Sequence, residues 1–442
     1  SPATRRTLHC CTTRCLTSVG SSRFWTPRER ERERESAEVS VEFYAVFTHM
    51  KAVVLFHHHN HHLLLLLLLL LLLLIYNLLH NFSPLDDRMA LPTEMTCLVK
   101  EEATEGYELV RRPVPTPGPG DVIIKVDRVA ICGSDINLWK WNDVAQVIAT
   151  LPFIPGHEAT GEVVAVGTGV SEVKVGQRVA VENHFYCGQC YQCKEGRGDI
   201  CQRMDQYGHG RGTMHGGCGQ YSLVPARYCY PLAAPLTADQ AVLLEPMGVA
   251  HNAVEGISVA GEDVLVLGCG PVGLFAIAIA KALGARAVYG VDQVHGRLER
   301  AQRMGASRVI HTGKEDVTEV IQALTGGNGI GRIVEASGAA SLLNASFSWL
   351  RKGGHMALIG LPKAPLHVEN VLTDVVFKSL TLKTFHGRRI FHTWVECERL
   401  LAEGKVDITP VVSHHLPMSQ YHHAFDLLTS GCASKILLDP QN

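Results

Sequence analysis

Four cysteines stand close together in the middle of the chain, as Cys187-x-x-Cys190-x-x-Cys193 with Cys201 soon after. Thiolates at such short spacings can wrap one ion. Four soft ligands with no open position read as a closed, structural zinc site. The rival reading is a disulfide framework, but nothing convincingly marks a secreted domain, which favours metal. A second set is of another kind. Cys132 opens Cys132-Gly133-Ser134-Asp135, and His157-Glu158 follows Gly156. One thiolate, one imidazole and one carboxylate suit a zinc that keeps a position for water or substrate. Gly-His-Glu alone would read as a turn with a hydrogen-bonded histidine. Its place between Cys132 and the four-cysteine loop turns it into a candidate ligand set. Residues 132 to 201 thus propose two zinc ions per chain, one catalytic and one structural.

A third group of residues points to a cofactor. Asp263-Val264-Leu265-Val266-Leu267 reads as a buried strand, and Gly268-Cys269-Gly270-Pro271-Val272-Gly273 follows at once. An apolar helix then runs to about Leu283, where Gly284 can stop it. The next strand, Ala287-Val288-Tyr289-Gly290-Val291, ends at Asp292. A glycine turn between strand and helix, with an acid closing the next strand, is a dinucleotide-binding pattern. The glycines let the backbone approach a pyrophosphate at the helix N-terminus. Asp292 would accept hydrogen bonds from the adenosine ribose and repel a 2′-phosphate, which favours NAD over NADP. The alternative for Asp292 is a solvated strand end.

These groups must be positioned by a sizeable fold, and the chain is long enough for two or three domains at 442 residues. Hydrophobic residues make up 46% and charged residues 19%, with a net charge of −2. The pI of about 6.9 gives no bulk attraction to nucleic acid. Of the 14 cysteines, those outside the metal sets and the first residues are scattered, as free thiols in a reducing compartment would be.

Short β-rich runs at Val122–Val126, Gly161–Gly167 and Gln177–Val181 are separated by Gly and Pro. They suggest a compact β lobe carrying the metal ligands on its loops. After about residue 240 the pattern becomes α/β, with further strands at Arg332–Glu335 and Met356–Gly360 extending a parallel sheet. The tail has helical stretches at Trp394–Leu401 and Tyr421–Leu428. It ends in Lys435-Ile436-Leu437-Leu438, a strand that could return to the first lobe. The expected division is a leader over 1–91, a catalytic domain over 92–243, a NAD-binding domain over 244–385, and a return to the catalytic domain over 386–442.

The leader does not look like the rest. It holds alternating Arg and Glu from Arg28 to Glu35, a histidine run from His57 to His62, and unbroken leucine from Leu63 to Leu74. None of these has the patterning that packs a core. Such repeats suit translated untranslated sequence, with the working protein starting at Met89 or Met95. Two other readings stand beside this one. The first 28 residues contain Arg, Ser and Thr but no acid, as a mitochondrial transit segment does. The Leu63–Leu79 stretch is short for a membrane-spanning helix, which needs about 20 apolar residues. The cytoplasm is the expected compartment, or the mitochondrion if the leader is genuine.

With both zinc sets and the glycine turn in view, the chain from about 95 to 440 resembles the zinc-dependent medium-chain alcohol dehydrogenases. It looks most like the zinc-type L-threonine 3-dehydrogenases. That likeness is carried by Cys132-Gly133-Ser134-Asp135 with Trp139 and Trp141, by Val376-Phe377-Lys378-Ser379, and by Gly387-Arg388-Arg389-Ile390-Phe391-His392-Thr393-Trp394. The resemblance implies an α/β fold, a Rossmann doubly wound sheet inserted in a GroES-like β-rich catalytic domain. It implies oxidation of threonine to 2-amino-3-oxobutanoate with NAD taking the hydride. Glu245, in Leu244-Glu245-Pro246, would ligate or tune the catalytic zinc. Ser134 would accept the alcohol proton, or else be a serine capping a helix start. Val272, Asp292 and Arg297 match cofactor contacts, and Ile359 to Leu361 and Phe385 to His386 match segments near the nicotinamide. A homo-oligomer, dimer or tetramer, goes with the resemblance, and no membrane association.

Two departures matter. Glu245-Pro246-Met247-Gly248-Val249-Ala250-His251 reads partly like polyol dehydrogenases, so the substrate is an amino alcohol or a polyol. Asn137 stands where the family usually has a histidine that releases the proton, and an amide cannot take a proton up. An idle relative that keeps the fold and the structural zinc is the rival from another class. Cys132, His157, Glu158 and Glu245 present together argue for the enzyme.

Overall fold

The structure, a computed structural model, describes residues 91–362 and 364–442. Apart from Leu91, the leader and the transit and anchor readings of it lie outside the described residues. Among the described residues no helix is long and apolar enough to cross a membrane.

Six parallel strands form one sheet. In spatial order they are Arg308–His311, Ala287–Asp292, Asp263–Leu267, Ile330–Glu335, Leu350–Leu358 and Thr381–Thr384. Numbered along the chain this is 3-2-1-4-5-6, the Rossmann order, whose ligand crevice opens where the winding reverses, at the carboxyl ends of strands 1 and 4. The central strands are apolar throughout because helices cover both faces: Val264, Leu265, Val266 and Leu267 are all fully buried. The Pro271–Ala282 helix packs on one face through Leu274, Phe275, Ile277 and Ile279. Pro271 sits at its first position, where a missing N–H costs nothing, and Gly284 at φ +85 follows its end.

The second sheet has seven strands and belongs to the β lobe. Asp121–Ile131 is its spine, pairing with Glu158–Val166, Tyr221–Pro225 and the C-terminal Lys435–Asp439. The tail does return, with Ile436 opposite Ile131. The spine alternates poorly for a physical reason. It is wedged between two cores, Val122, Ile124 and Val126 in one and Val129 and Ile131 in the other, with an irregular register between Val126 and Arg128. Strand ends were less legible: the strand expected from Met356 begins at Leu350, since Gly353 and Gly354 break its pattern. The helices Gly133–Lys140 and Asp143–Ile148 sit on this otherwise β-rich lobe.

Candidate active site

The four cysteine sulfurs come together as a group of metal-ligand geometry. Sulfur separations are 3.5 Å for Cys190–Cys193, 3.8 Å for Cys190–Cys201 and 4.0 Å for Cys187–Cys193. A disulfide needs about 2.05 Å. A tetrahedron with metal–sulfur bonds of about 2.3 Å has edges of about 3.8 Å, so the donor set fits zinc. Backbone N–H groups of Gln189 and Cys190 point at Cys187 Sγ, at 3.4 and 3.3 Å. These hydrogen bonds pull the half-buried Cys187 thiol down to about 6, so it is ready to ligate as a thiolate.

Cys132, His157 and Glu158 form the second group, with ligand atoms all within 4.8 Å of one another. The spine strand ends at Ile131 and delivers Cys132 to the start of the Gly133–Lys140 helix. Glu158 begins the adjacent strand, and Ala130 pairs with it. Two neighbouring strand ends therefore set the ligands side by side. Asp135 serves both ends of this arrangement. Its Oδ2 accepts from the Cys132 N–H at 2.7 Å, and its Oδ1 faces His157 Nδ1 at 3.4 Å. A carboxylate behind a ligand histidine fixes its tautomer and leaves Nε2 for the metal. Burial disfavours the charge on both, but each holds the other charged, so Asp135 lies low and His157 high.

Glu158 is fully buried and is neutralised from an unexpected direction. Lys435 Nζ donates to its two oxygens at 2.8 and 3.0 Å and to the Ile131 carbonyl at 3.1 Å. Burial raises the Glu158 carboxyl, and Lys435 opposes it.

Glu245 lies in the first turn of the Leu244–Gly256 helix and is 8% exposed. Its carboxylate is not brought into the three-residue group among the described residues. Its Oε1 accepts from Arg388 at 2.6 Å and from Asn183 at 3.4 Å. Its charge is thus shared with a fully buried guanidinium. Arg388 also holds Glu182 at 2.5 Å and stacks on Trp394 at 5.0 Å. Burial, with Arg388 opposing, pushes the Glu182 carboxyl up to about 7.

Ser134 is half-buried inside the helix, and the residue before the helix is Cys132, so Ser134 is not the cap. Asn137 Oδ1 accepts from Asn142, whose own side chain caps the Asp143–Ile148 helix.

The dinucleotide residues meet at the switch point. Gly268, at φ +90, runs so close to Ser337 that a Cβ would stand 2.8 Å from its Cα. A Cβ on Gly273 would stand 1.9 Å from the Gly268 carbonyl oxygen, so only glycine lets helix and turn close up. Gly270 precedes the helix, whose first turn carries Val272. Asp292 is 6% exposed, accepts from the Cys269 and Val294 amides at 2.8 and 2.9 Å, and faces Arg297 at 3.8 Å. Ile359 to Leu361 follow the Leu350–Leu358 strand, with Leu361 75% exposed, and Phe385 and His386 follow Thr381–Thr384. His386 stacks on His184 at 5.4 Å and bonds to the Asp199 carbonyl at 3.2 Å, which ties this segment to the cysteine loop.

Comparison with known proteins agrees with this geometry. Residues 118–234 match the family described as alcohol dehydrogenase GroES-like domain, and residues 271–403 match zinc-binding dehydrogenase. The L-threonine 3-dehydrogenase of Bacillus velezensis is 37% identical over 348 residues, 78% of this chain and 99% of that one. The chain belongs to the zinc-type medium-chain alcohol dehydrogenases. L-threonine 3-dehydrogenase from Pyrococcus furiosus is likewise 37% identical, over 78% of this chain and 98% of its own. Among solved structures, alcohol dehydrogenase TADH from Thermus sp. ATN1 matches with a TM-score of 0.71 at 29% identity, over 78% of this chain and 99% of that one. The 2R,3R-butanediol dehydrogenase of Bacillus subtilis matches with a TM-score of 0.71 at 28% identity, over 78% and 99%. An alcohol dehydrogenase of E. coli CFT073, solved with NADH, matches with a TM-score of 0.72 at 26% identity, over 79% and 100%.

In this alcohol dehydrogenase the sequence motifs missed the residues that neutralise the others. Asp135 was visible inside Cys-Gly-Ser-Asp, but its role was not. Lys435 and Glu182 have no local signature. His184, stacked against His386, and His209, packed against His157, were also missed, although Gly208-His209-Gly210 is a sign of a tightly constrained histidine.

Proposed function

We propose that this protein oxidises L-threonine to 2-amino-3-oxobutanoate, with NAD as hydride acceptor and two zinc ions per chain, one catalytic and one structural. The carrying observation is the Cys132, His157 and Glu158 group, within 4.8 Å, in a chain 37% identical to L-threonine 3-dehydrogenases over nearly their whole length. A bound zinc supplies Lewis acidity that lowers the pKa of the substrate hydroxyl. Cys132, His157 and Glu158 would hold it, Asp135 orients His157, and Lys435 balances the buried Glu158. Ser134 accepts the proton of the hydroxyl and passes it outward. Glu245, with its charge shared by Arg388, tunes the field at the site from behind the ligands. Gly268, Gly270 and Gly273 admit the pyrophosphate, while Val272 and Arg297 flank the cofactor and Asp292 takes the ribose hydroxyls. Ile359, Leu361, Phe385 and His386 line the nicotinamide side. Cys187, Cys190, Cys193 and Cys201 close the structural site. In this reading residues 92–243 and 386–442 form the catalytic domain around a cofactor domain of 244–385, and the protein works as a homo-oligomer.

Initial rates of NADH formation with L-threonine, sorbitol and xylitol test the substrate. L-threonine is expected to give the highest kcat/KM. Faster turnover of a polyol would overturn the substrate assignment and leave the family untouched. Metal analysis tests the count: two zinc ions per chain are expected, and one would fit a protein that has lost the catalytic site.

A further inference from the structure

His209 has no task in the reading above, yet it is held with care. It is 4% exposed, and its ring packs against His157 with centroids 5.0 Å apart and planes tilted by 49°. Its Nδ1 lies 3.1 Å from the Tyr207 carbonyl oxygen. A carbonyl only accepts, so Nδ1 carries the proton and Nε2 presents a lone pair. Nε2 bonds to no described residue. It is also not fully sealed, unlike the Nδ1 atoms of His157 and His184. It therefore keeps a small contact with solvent, on a ring packed against a metal-ligand candidate.

The backbone is built to put it there. Gly208 and Gly210 have φ of +79 and +72. A Cβ on Gly208 would stand 2.7 Å from the Gly156 carbonyl carbon and 2.9 Å from the His157 nitrogen, and one on Gly210 1.8 Å from the Thr150 oxygen. Glycine alone permits both the conformation and the approach. The loop is then pinned from three sides. The Thr150 N–H donates to the His209 carbonyl at 2.9 Å, Gly208 to His215 at 2.9 Å, and Tyr207 to Asn183 at 3.0 Å. Packing alone would be served by an aliphatic side chain, which brings no polar atom to desolvate. An imidazole fixed in rotation and tautomer, with one acceptor uncommitted on a ring packed against His157, suits recognition of a donor.

We infer that His209 is a specificity-determining residue whose Nε2 accepts a hydrogen bond from a donor on the carbon next to the carbinol carbon. The substrate class is an alcohol with a vicinal ammonium or hydroxyl group. In L-threonine the donor is the ammonium; in a vicinal diol it is the hydroxyl; 2-butanol has neither. The inference rests on the proposed function in one respect, that the carbinol oxygen is held beside His157.

The test compares the zinc- and NAD-loaded parent with its His209→Leu and His209→Gln variants. The readout is the ratio of kcat/KM for L-threonine to kcat/KM for 2-butanol, with melting curves to establish folding. His209→Leu should lower the ratio about 10- to 100-fold, the range for one lost hydrogen bond in a site built to make it. His209→Gln should recover part of the loss, because the amide oxygen can accept where leucine cannot. A ratio unchanged in His209→Leu, with both rates falling together or neither falling, overturns the inference. If the parent does not turn over L-threonine, the substrate assignment alone fails. The same ratio is then read with (2R,3R)-butane-2,3-diol against 2-butanol, and an unchanged ratio there overturns the role of His209. Should His209→Leu not fold, a ratio for His209→Gln equal to the ratio of a folded His209→Ala variant overturns it as well.

Discussion

Lys435 gives the sharpest test of how the catalytic group is held. Lys435 is 2% exposed and Glu158 is fully buried, so each is the other's principal counter-charge. Lys435→Met keeps the length and apolar volume and removes only the charge and its donors. In the metal-free protein this strands a carboxylate in the interior, which costs about 3 to 5 kcal/mol for a buried pair broken on one side. At roughly 2 °C per kcal/mol for a chain of this size, the melting temperature should fall by about 6 to 10 °C. With zinc bound by Cys132, His157 and Glu158, the cation takes over the neutralisation. What remains is the loss of the hydrogen bonds, about 1 to 2 kcal/mol or 2 to 4 °C. Melting of parent and variant, each zinc-loaded and chelated, yields a double difference in which the structural site cancels. Chelation should cost the variant about 4 to 6 °C more than it costs the parent. Equal losses in the two states, or a chelated variant melting with the chelated parent, would refute the idea that Lys435 and the metal share one buried charge.

Other expectations are quicker to check. Cys190→Ser should lower the zinc content by one ion per chain and lower the melting temperature, because ligand binding in a closed site is also folding energy; an unchanged melt would mean the loop holds no metal. Asp292→Ala should weaken NAD by about 1 to 3 kcal/mol and narrow its preference over NADP, measured by fluorescence titration of both cofactors. Glu182, raised from 4.5 to about 7, binds a proton more tightly folded than unfolded, so its contribution to stability falls as pH rises through that window. Glu182→Gln should therefore flatten the decline in melting temperature between pH 5 and 7.5, and a decline as steep as the parent's would show that another group sets it.

What could be read in the sequence follows from the range of each interaction. The four cysteines, the glycine turn and the Asp263–Leu267 strand are local patterns, and each lies where its spacing put it. The spine strand was recognised by β-rich composition, although its two-sided burial erased the alternation that normally marks a strand. The ion pairs were not legible. Lys435 reaches Glu158 across 277 residues, and Arg388 reaches Glu182 and Glu245 across 206 and 143. Charge complementarity at such separations leaves no period to detect. Glu245 shows the consequence. The resemblance gives it two roles, ligand or tuning acid, and the pairing of its carboxylate with Arg388 from a distant segment has no mark in the local sequence.

Asn137 raises the same problem at shorter range. A histidine at that position would offer a proton path, and its replacement suggests a defect in the relay. The structure assigns the amide another task. Asn137 Oδ1 holds the Asn142 side chain at 2.9 Å, and Asn142 Oδ1 in turn accepts from the Val144 and Ala145 amides at 3.1 and 3.3 Å. The residue thus orients a helix cap worth about 1 kcal/mol, and it needs a fixed acceptor to do so. Asn137→His offers Asn142 an acceptor only from a neutral ring nitrogen, so it trades a fixed contact for a titrating one. The variant should gain kcat near pH 7, by up to about tenfold, if proton release limits turnover there. It should also melt lower at pH 5 than at pH 8, relative to the parent, because a protonated ring cannot accept from Asn142. A flat kcat ratio across pH 6 to 10 would show that the proton leaves elsewhere. A pH-independent melting difference would show that the cap does not depend on position 137.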